Sequence, residues 1–297
     1  MIEDKLNLTF YKGEDIYSDG SVEDELLEAV QDMSKIPEIL QNGDSWPFLY
    51  HLSPIRENLL DWYSFEKKSS LLEIGAGCGA LTGLFCKKVD RVVAIDLSKK
   101  RSMINATRNK NCDNLEIMVG NFEDITLEEK FDYVTLIGVF EYSVYYINDR
   151  LPFETMLERV KQYLKPGGKL ILAIENKYGL KYWNGAKEDH TGALFDGLNS
   201  YMTVDRVRTF SRSQLLKLLQ DAGFSENDVY YPVPDYKLPN EVYSDEYLPE
   251  KGSLRNTSVP YDRPRYMFFE EDVAFDDLCE DGRFQEFANS FLVISAI

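Results

Sequence analysis

Apolar positions divide the chain into three stretches with different periods. In residues 1–68 they recur at helical spacing, with Val22, Leu26, Ala29, Val30 and Met33 on one face. Ser21 followed by Asp24 predicts a capping box at the start of that helix. A second helix is expected from Ser53, with Pro54 at the first helical position and Ile55, Leu59 and Leu60 following. From Ser69 short apolar runs alternate with amphipathic segments. They predict strands at Leu71–Ile74, Val92–Ile95, Leu115–Val119, Tyr133–Ile137 and Leu170–Ile174. Helices are expected between them at Leu81–Lys88, Lys99–Asn109 and Arg150–Leu164. Continuous apolar strands separated by helices imply an α/β domain with a parallel sheet covered on both faces. A later helix is expected at Ser213–Ala222, capped by Ser211 or Ser213 and ended by Gly223, and a last strand at Phe291–Ile297.

Two stretches break the alternation, Asn176–Thr209 and Pro232–Gln285. Connections of such length in a compact domain usually carry function, so both are read as cap segments over the carboxyl ends of the strands. The second holds Pro232, Pro234, Pro239, Pro249, Pro260 and Pro264. The expected organisation is a helical extension over 1–68, a core over 69–176, and cap insertions with the last helix and strands of the sheet over 177–297.

Charge narrows the partners. With 33 basic and 51 acidic residues the net charge is −18, which repels a phosphate backbone and an anionic membrane surface at long range. Neither nucleic acid nor integral membrane association is expected, since no apolar stretch approaches the roughly 20 residues a span needs. Residues 1–10 lack a cationic start and apolar run. Cys78, Cys86, Cys112 and Cys279 form no CxxC pair and have no histidine at metal spacing. They are read as free thiols in a reducing cytoplasm, with no metal expected.

Leu71-Leu72-Glu73-Ile74-Gly75-Ala76-Gly77-Cys78-Gly79 ends a strand and opens a helix, where glycines bring main-chain N–H groups close to a ligand. Gly75, Gly77 and Ala80, with Asp96 further on, also satisfy a dinucleotide-binding pattern. Three features argue otherwise. Glu73 places an acid two residues before the first glycine, which suits a ligand bearing an ammonium and a sulfonium and is a poor neighbour for two phosphates. Phe131-Asp132-Tyr133-Val134-Thr135-Leu136-Ile137-Gly138-Val139 is a fourth strand ending in a small residue. Leu164-Lys165-Pro166-Gly167-Gly168-Lys169-Leu170 reads as a helix end, a turn and a fifth strand.

In this order and spacing, residues 69–176 resemble class I S-adenosylmethionine-dependent methyltransferases. The resemblance implies a Rossmann-like sheet of seven strands, the last antiparallel, and S-adenosyl-L-methionine as cofactor. It places Glu73, Gly75, Ala76 and Gly77 at the methionine end and Asp96, with Leu97 beside it, on the ribose hydroxyls. Asn121 and Phe122 fall beside the adenine, where the family usually has an acid and a small residue, and Gly138 falls nearest the transferred methyl. Asp96 as a helix cap and Gly138 as a packing glycine are the structural alternatives.

Further segments resemble a bacterial methyltransferase group found beside or fused to glycosyltransferases in surface-polysaccharide clusters. They include Leu52-Ser53-Pro54-Ile55-Arg56-Glu57-Asn58, Ile174-Glu175-Asn176-Lys177-Tyr178-Gly179 and Glu188-Asp189-His190-Thr191-Gly192. That resemblance implies O-methylation of a sugar or polysaccharide precursor, with a glycosyltransferase as possible partner and Arg56, Asn176 and Tyr178 as candidate substrate contacts. From Lys177 onward the chain holds ten tyrosines, rings that suit a sugar or simply pack the cap. A hydroxyl acceptor needs a base, and of the two histidines, His51 and His190, the second is the candidate, with Glu141 next. Arg56 is read as holding a substrate anion or the cofactor carboxylate, or as an ordinary surface arginine. Two other functions remain open: a methyltransferase for a small metabolite or protein group, and a non-catalytic cofactor-binding partner of a glycosyltransferase. A dehydrogenase using NAD is disfavoured by Glu73 and the Pro-Gly-Gly turn.

Overall fold

The apolar runs after Ser69 become strands in a computed structural model that describes residues 2–297 apart from 16, 17, 19, 44, 203–206 and 256–263. Pro260 and Tyr261, counted above in the cap, lie outside the described residues. The chain forms two compact units, Met1–Leu136 with Gln162–Lys169, and Ile137–Lys161 with Leu170–Ile297. They cut the chain elsewhere than the expected boundaries at 68 and 176.

The first unit is a parallel sheet of β1 (Leu6–Asn7), β2 (Ser70–Ile74), β3 (Arg91–Asp96), β4 (Leu115–Val119) and β5 (Phe131–Ile137), in the order β1-β4-β3-β2-β5. Leu71 pairs with Val92 on one side and Tyr133 on the other, so β2 is the strand at which the order reverses. Such a reversal opens a crevice at the carboxyl ends of the strands, the usual ligand position in a Rossmann-like sheet. Helices Thr82–Lys88 and Lys99–Arg108 join β2 to β3 and β3 to β4 close to where the periodicity predicts them. Ser98 caps the second of these helices by accepting from the Arg101 amide.

The N-terminal helices Val22–Ala29, Ile36–Asn42 and Trp46–Leu52 belong to this unit. Leu26, Val30, Ile36 and Leu52 are buried with Cys78 of the glycine loop and Ile104 of helix Lys99–Arg108. At about 1.5–3 kcal/mol for a fully buried aliphatic side chain, this cluster fixes the extension over the loop. Two local expectations need correction. Ser21 has helical backbone angles and makes no side-chain cap, while Asp24 pairs with Lys100 at 2.6 Å. The expected helix from Ser53 is a 3-10 segment, Pro54–Leu59, with the Ser53 hydroxyl accepting from the Ile55 amide.

The second unit contains most of helix Pro152–Tyr163 and the later part of β6 (Leu164–Glu175), with β7 (Glu226–Val233), β8 (Glu241–Ser244) and β9 (Ser290–Ala296). β6 already begins at Leu164, so the expected Pro-Gly-Gly turn lies within the strand. The order is β6-β9-β7-β8, with β7 antiparallel to both β8 and β9. Nine strands occur among the described residues where the resemblance implies seven, β1, β7 and β8 being the ones without an expected range. Helix Arg212–Asp221 starts with a full capping box, Ser211 accepting from the Gln214 amide and Gln214 accepting from the Ser211 amide. The segments read as caps carry core: Asn176, Leu180, Tyr182, Asn184 and Glu188 in the first, Tyr236, Leu238 and Phe275 in the second. Among the described residues no helix is long and apolar enough to cross a membrane.

Candidate active site

In the first unit the glycine loop leaves β2 with Gly75, Gly77 and Gly79 all in the left-handed region, at φ 72°, 53° and 76°. A Cβ on Gly79 would stand 2.3 Å from Oδ1 of Asn105, so that position is closed to other residues. Beneath the loop runs a buried polar chain. Asn109 donates to Asn105 (2.8 Å), Asn105 to Thr82 (3.0 Å), and Thr82 to Glu73 (2.6 Å). Burial pushes the Glu73 carboxyl up to about 8, against the Thr82 hydrogen bond, with Asp96 adding to the rise and Arg56 and Arg108 opposing it. Glu73 is therefore a buried acid held largely protonated below pH about 8 in spite of two nearby guanidiniums.

Asp96 ends β3 with both oxygens engaged: Oδ2 accepts from the Gly77 amide at 2.7 Å and Oδ1 from the Ser98 amide at 2.9 Å. A carboxylate has about four acceptor sites, so each oxygen keeps a lone pair while the amides fix its direction. Burial holds its carboxyl above the usual carboxylate range, opposed by Arg101 and by those two amides. Ala76 is buried in the loop, and Leu97 is half-buried beside Asp96. Past β4, the Asn121 carbonyl and side chain accept from Asp124 and Glu123 in a tight turn, and Phe122 is buried against Tyr163. Arg56 is not a surface arginine: it is buried, stacked on Tyr50 at 4.5 Å, and acts electrostatically on Glu73. His51 is buried edge-on to the same ring.

The second unit holds a different chemistry. Gly138 follows β5 at φ 66°, where a Cβ would come within 2.8 Å of the Tyr236 hydroxyl. Glu141 sits in the 3-10 turn Phe140–Tyr142, Glu175 ends β6, and both are fully buried. His190 meets them from the loop after β6, its Nε2 3.5 Å from Glu141 Oε1 and 3.9 Å from Glu175 Oε2. Its other ring nitrogen, Nδ1, lies 3.0 Å from Oε1 of Glu188. Glu188 is itself fixed, accepting from the amides of His190 and Thr191 at 2.7 Å and from the Tyr201 hydroxyl at 3.3 Å. Burial alone lowers the imidazole, but Glu175, Glu141 and Glu188 overcome it and hold His190 well above its ordinary value. Burial raises Glu141 and also acts to raise Glu188, where the His190 contacts prevail and lower it.

Beside this centre Lys237 joins Glu175 at 2.6 Å and also pairs with Asp189, while Lys181 reaches Asp189 at 3.0 Å and Asp235 at 3.6 Å. The sequence singled out His190 and Glu141; Glu175, Glu188, Lys181 and Lys237 were not assigned roles. Glu175 and Glu188 stood within quoted motifs, and an acid closing the apolar β6 run was the signal that could have marked Glu175. The tyrosines of the cap largely orient acids, Tyr182 donating to Asp189, Tyr231 to Asp245 and Tyr236 to Glu175. Asn176, expected at the substrate, gives its amide to the carbonyls of Glu286 and Ala288 and accepts from the Tyr178 amide, so it ties the chain together. Tyr178 is exposed under the Lys177 ammonium, 4.8 Å from the ring centre. The four cysteines are free.

Residues 72–172 match the methyltransferase domain family. Among curated proteins, the chain is 29% identical over 119 residues to malonyl-[acyl-carrier protein] O-methyltransferase of Priestia megaterium, covering 39% of this chain and 40% of that one. It is 32% identical over 140 residues to ribosomal RNA small subunit methyltransferase A of Mycoplasma capricolum, covering 46% and 50%. It is 26% identical over 169 residues to the cypemycin N-terminal methyltransferase of a Streptomyces species, covering 56% and 66%. The chain thus spans between 40% and 66% of the length of these relatives. By their names these relatives act on chemically unlike acceptors.

Proposed function

We propose that this protein is an S-adenosylmethionine-dependent methyltransferase acting on a hydroxyl of a sugar or polysaccharide precursor. Glu73, the glycine loop and Asp96 are assigned to the cofactor, and the His190 centre to the acceptor. One observation carries the first half: Glu73, buried at the end of β2 with Arg56 and Arg108 acting on it, is an acid kept for a ligand with positive charge, and it stands inside the stretch that matches the methyltransferase domain. Asp96 then serves the ribose, and its oriented free lone pairs suit two hydroxyls.

The acceptor half rests on the His190 centre. An in-line displacement at a sulfonium methyl needs a nucleophile placed and relieved of its proton. Glu141 and Glu175 supply buried carboxylates for that beside a His190 held well above its ordinary value, with Glu188 fixing the ring. A sugar hydroxyl, as on a glycosyltransferase product, is the acceptor class this favours, whereas an already charged carboxylate acceptor would need no such centre. Calorimetry with S-adenosylhomocysteine and NAD tests the cofactor; radiolabelled methyl transfer into sugar nucleotides and lipid-linked saccharides tests the acceptor. Binding of NAD in place of S-adenosylhomocysteine overturns the first half, and methylation confined to amine or carboxylate acceptors overturns the second.

A further inference from the structure

Three polar atoms of the second unit face one another at ion-pair distances. His190 Nε2 lies 3.5 Å from Glu141 Oε1 and 3.9 Å from Glu175 Oε2, outside hydrogen-bonding range. Both oxygens of Glu141 and Oε2 of Glu175 are buried and accept no hydrogen bond. One atom from each of the three residues lies within 4.8 Å of the others. An unbonded buried acceptor is costly, and a charged one more so. Two such carboxylates facing one imidazole nitrogen call for positive charge there, which the ring's own proton or a metal ion in its place supplies.

We propose that Glu141, Glu175 and Nε2 of His190 bind one divalent transition-metal ion of the Zn²⁺ or Mn²⁺ class. Nitrogen and oxygen ligands at about 2.0–2.2 Å from such an ion stand about 3–3.6 Å from each other. The two His190 distances come within a few tenths of an ångström of that, and the two carboxylate oxygens, within 4.8 Å of each other, draw together on the ion. The surroundings are those of a ligand set. Metal-bound imidazoles characteristically give their second nitrogen to a carboxylate, as His190 Nδ1 does to Glu188 at 3.0 Å. The second oxygen of Glu175 is held by Lys237 at 2.6 Å and by the Tyr236 hydroxyl at 3.3 Å, leaving Oε2 to face the centre.

Charge points the same way. Lys181 pairs with Asp189 and Asp235, and Lys237 is shared between Asp189 and Glu175, so five carboxylates surround two lysines and one imidazole. An imidazole ligand with carboxylates favours first-row transition ions over Mg²⁺ or Ca²⁺. Binding of the ion goes beyond the methyl-transfer reading. Its use, polarising and orienting an acceptor oxygen, rests on that reading and makes His190 a ligand instead of the base.

The test uses the full chain, dialysed against chelator and then titrated with ZnCl₂, MnCl₂ and MgCl₂ in a calorimeter. One equivalent each of Zn²⁺ and Mn²⁺ is expected to bind, Zn²⁺ more tightly, with Mg²⁺ at least ~100-fold weaker. Glu141→Gln is expected to weaken Zn²⁺ at least ~100-fold. Pulsed electron paramagnetic resonance of the Mn²⁺ form should show imidazole ¹⁴N coupling in the unaltered protein, which needs no variant to fold. Absence of saturable Zn²⁺ and Mn²⁺ binding, absence of the nitrogen coupling, or unchanged affinity in a folded Glu141→Gln protein overturns the site. S-adenosylhomocysteine binding on the same samples separates the two readings. Cofactor binding without metal binding leaves the methyl-transfer reading standing and sinks this one, and metal binding without cofactor binding does the reverse.

Discussion

Asp96 joins two jobs in one carboxylate, fixing the glycine loop and offering acceptors to a ribose. Asp96→Ala removes both, and S-adenosylhomocysteine affinity is expected to fall by about 1–3 kcal/mol, read by calorimetry; unchanged affinity contradicts the assignment. Glu73 makes a prediction with a sign. In the ligand-free protein it keeps its proton up to pH about 8, while a ligand ammonium favours the anion. Binding S-adenosylhomocysteine below that pH should therefore release a proton, seen as different heats in buffers of different ionisation enthalpy. Affinity should rise with pH toward about 8 and then level. The unfolded chain ionises Glu73 from the ordinary carboxylate range upward, so ligand-free stability falls as pH climbs to about 8. The melting temperature of Glu73→Gln should lack that decline. At the other centre, His190→Ala should keep cofactor affinity and lose about 10²–10⁴-fold in turnover. A near-normal rate would leave His190 a structural residue.

At the scale of elements, what the sequence shows depends on how local the signal is. The core strands were legible because each is a continuous apolar run; the cap of the later helix was narrowed to Ser211 or Ser213, and the structure uses Ser211, paired with Gln214 three residues on. Removing that cap, as Ser211→Ala, should cost about 0.5–2 kcal/mol, measured by denaturant unfolding. Other elements left no such mark. The helix Trp46–Leu52 is apolar on nearly every side, so it has no period to read. The helix Glu271–Glu280 is so acidic that its buried Phe275 barely registers. β1 is two residues long and exists through its pairing with β4. Ser21 failed as a cap because its backbone is helical, which no spacing rule reveals. The glycine loop and Asp96 were readable as a candidate site, whereas Glu175 and Glu188 acquire meaning only when the fold brings them to His190. Gly138 tests how tightly that surrounding is built. Gly138→Ala puts a Cβ at positive φ and 2.8 Å from the Tyr236 hydroxyl, and a loss of about 1–3 kcal/mol in stability is expected.

For the molecule as a whole, the net charge of −18 shapes encounter with its acceptor. If the acceptor carries a diphosphate, long-range repulsion slows its approach, and kcat/KM should rise as salt screens the field; a neutral saccharide should show little change. The opposite trend would mean a local basic groove outweighs the global field. One further consequence follows from the division into units, each assembled from two separate pieces of chain. The first can close once Lys169 has been made, but Ile137–Lys161, already synthesised by then, belongs to the second and has no complete partner until β9 at Ser290–Ala296 emerges. At elongation rates of about 5–20 residues per second, that interval is on the order of 10 s. During it the segment bearing Glu141 is exposed on the ribosome, available to chaperones and proteases that never meet it in the finished fold.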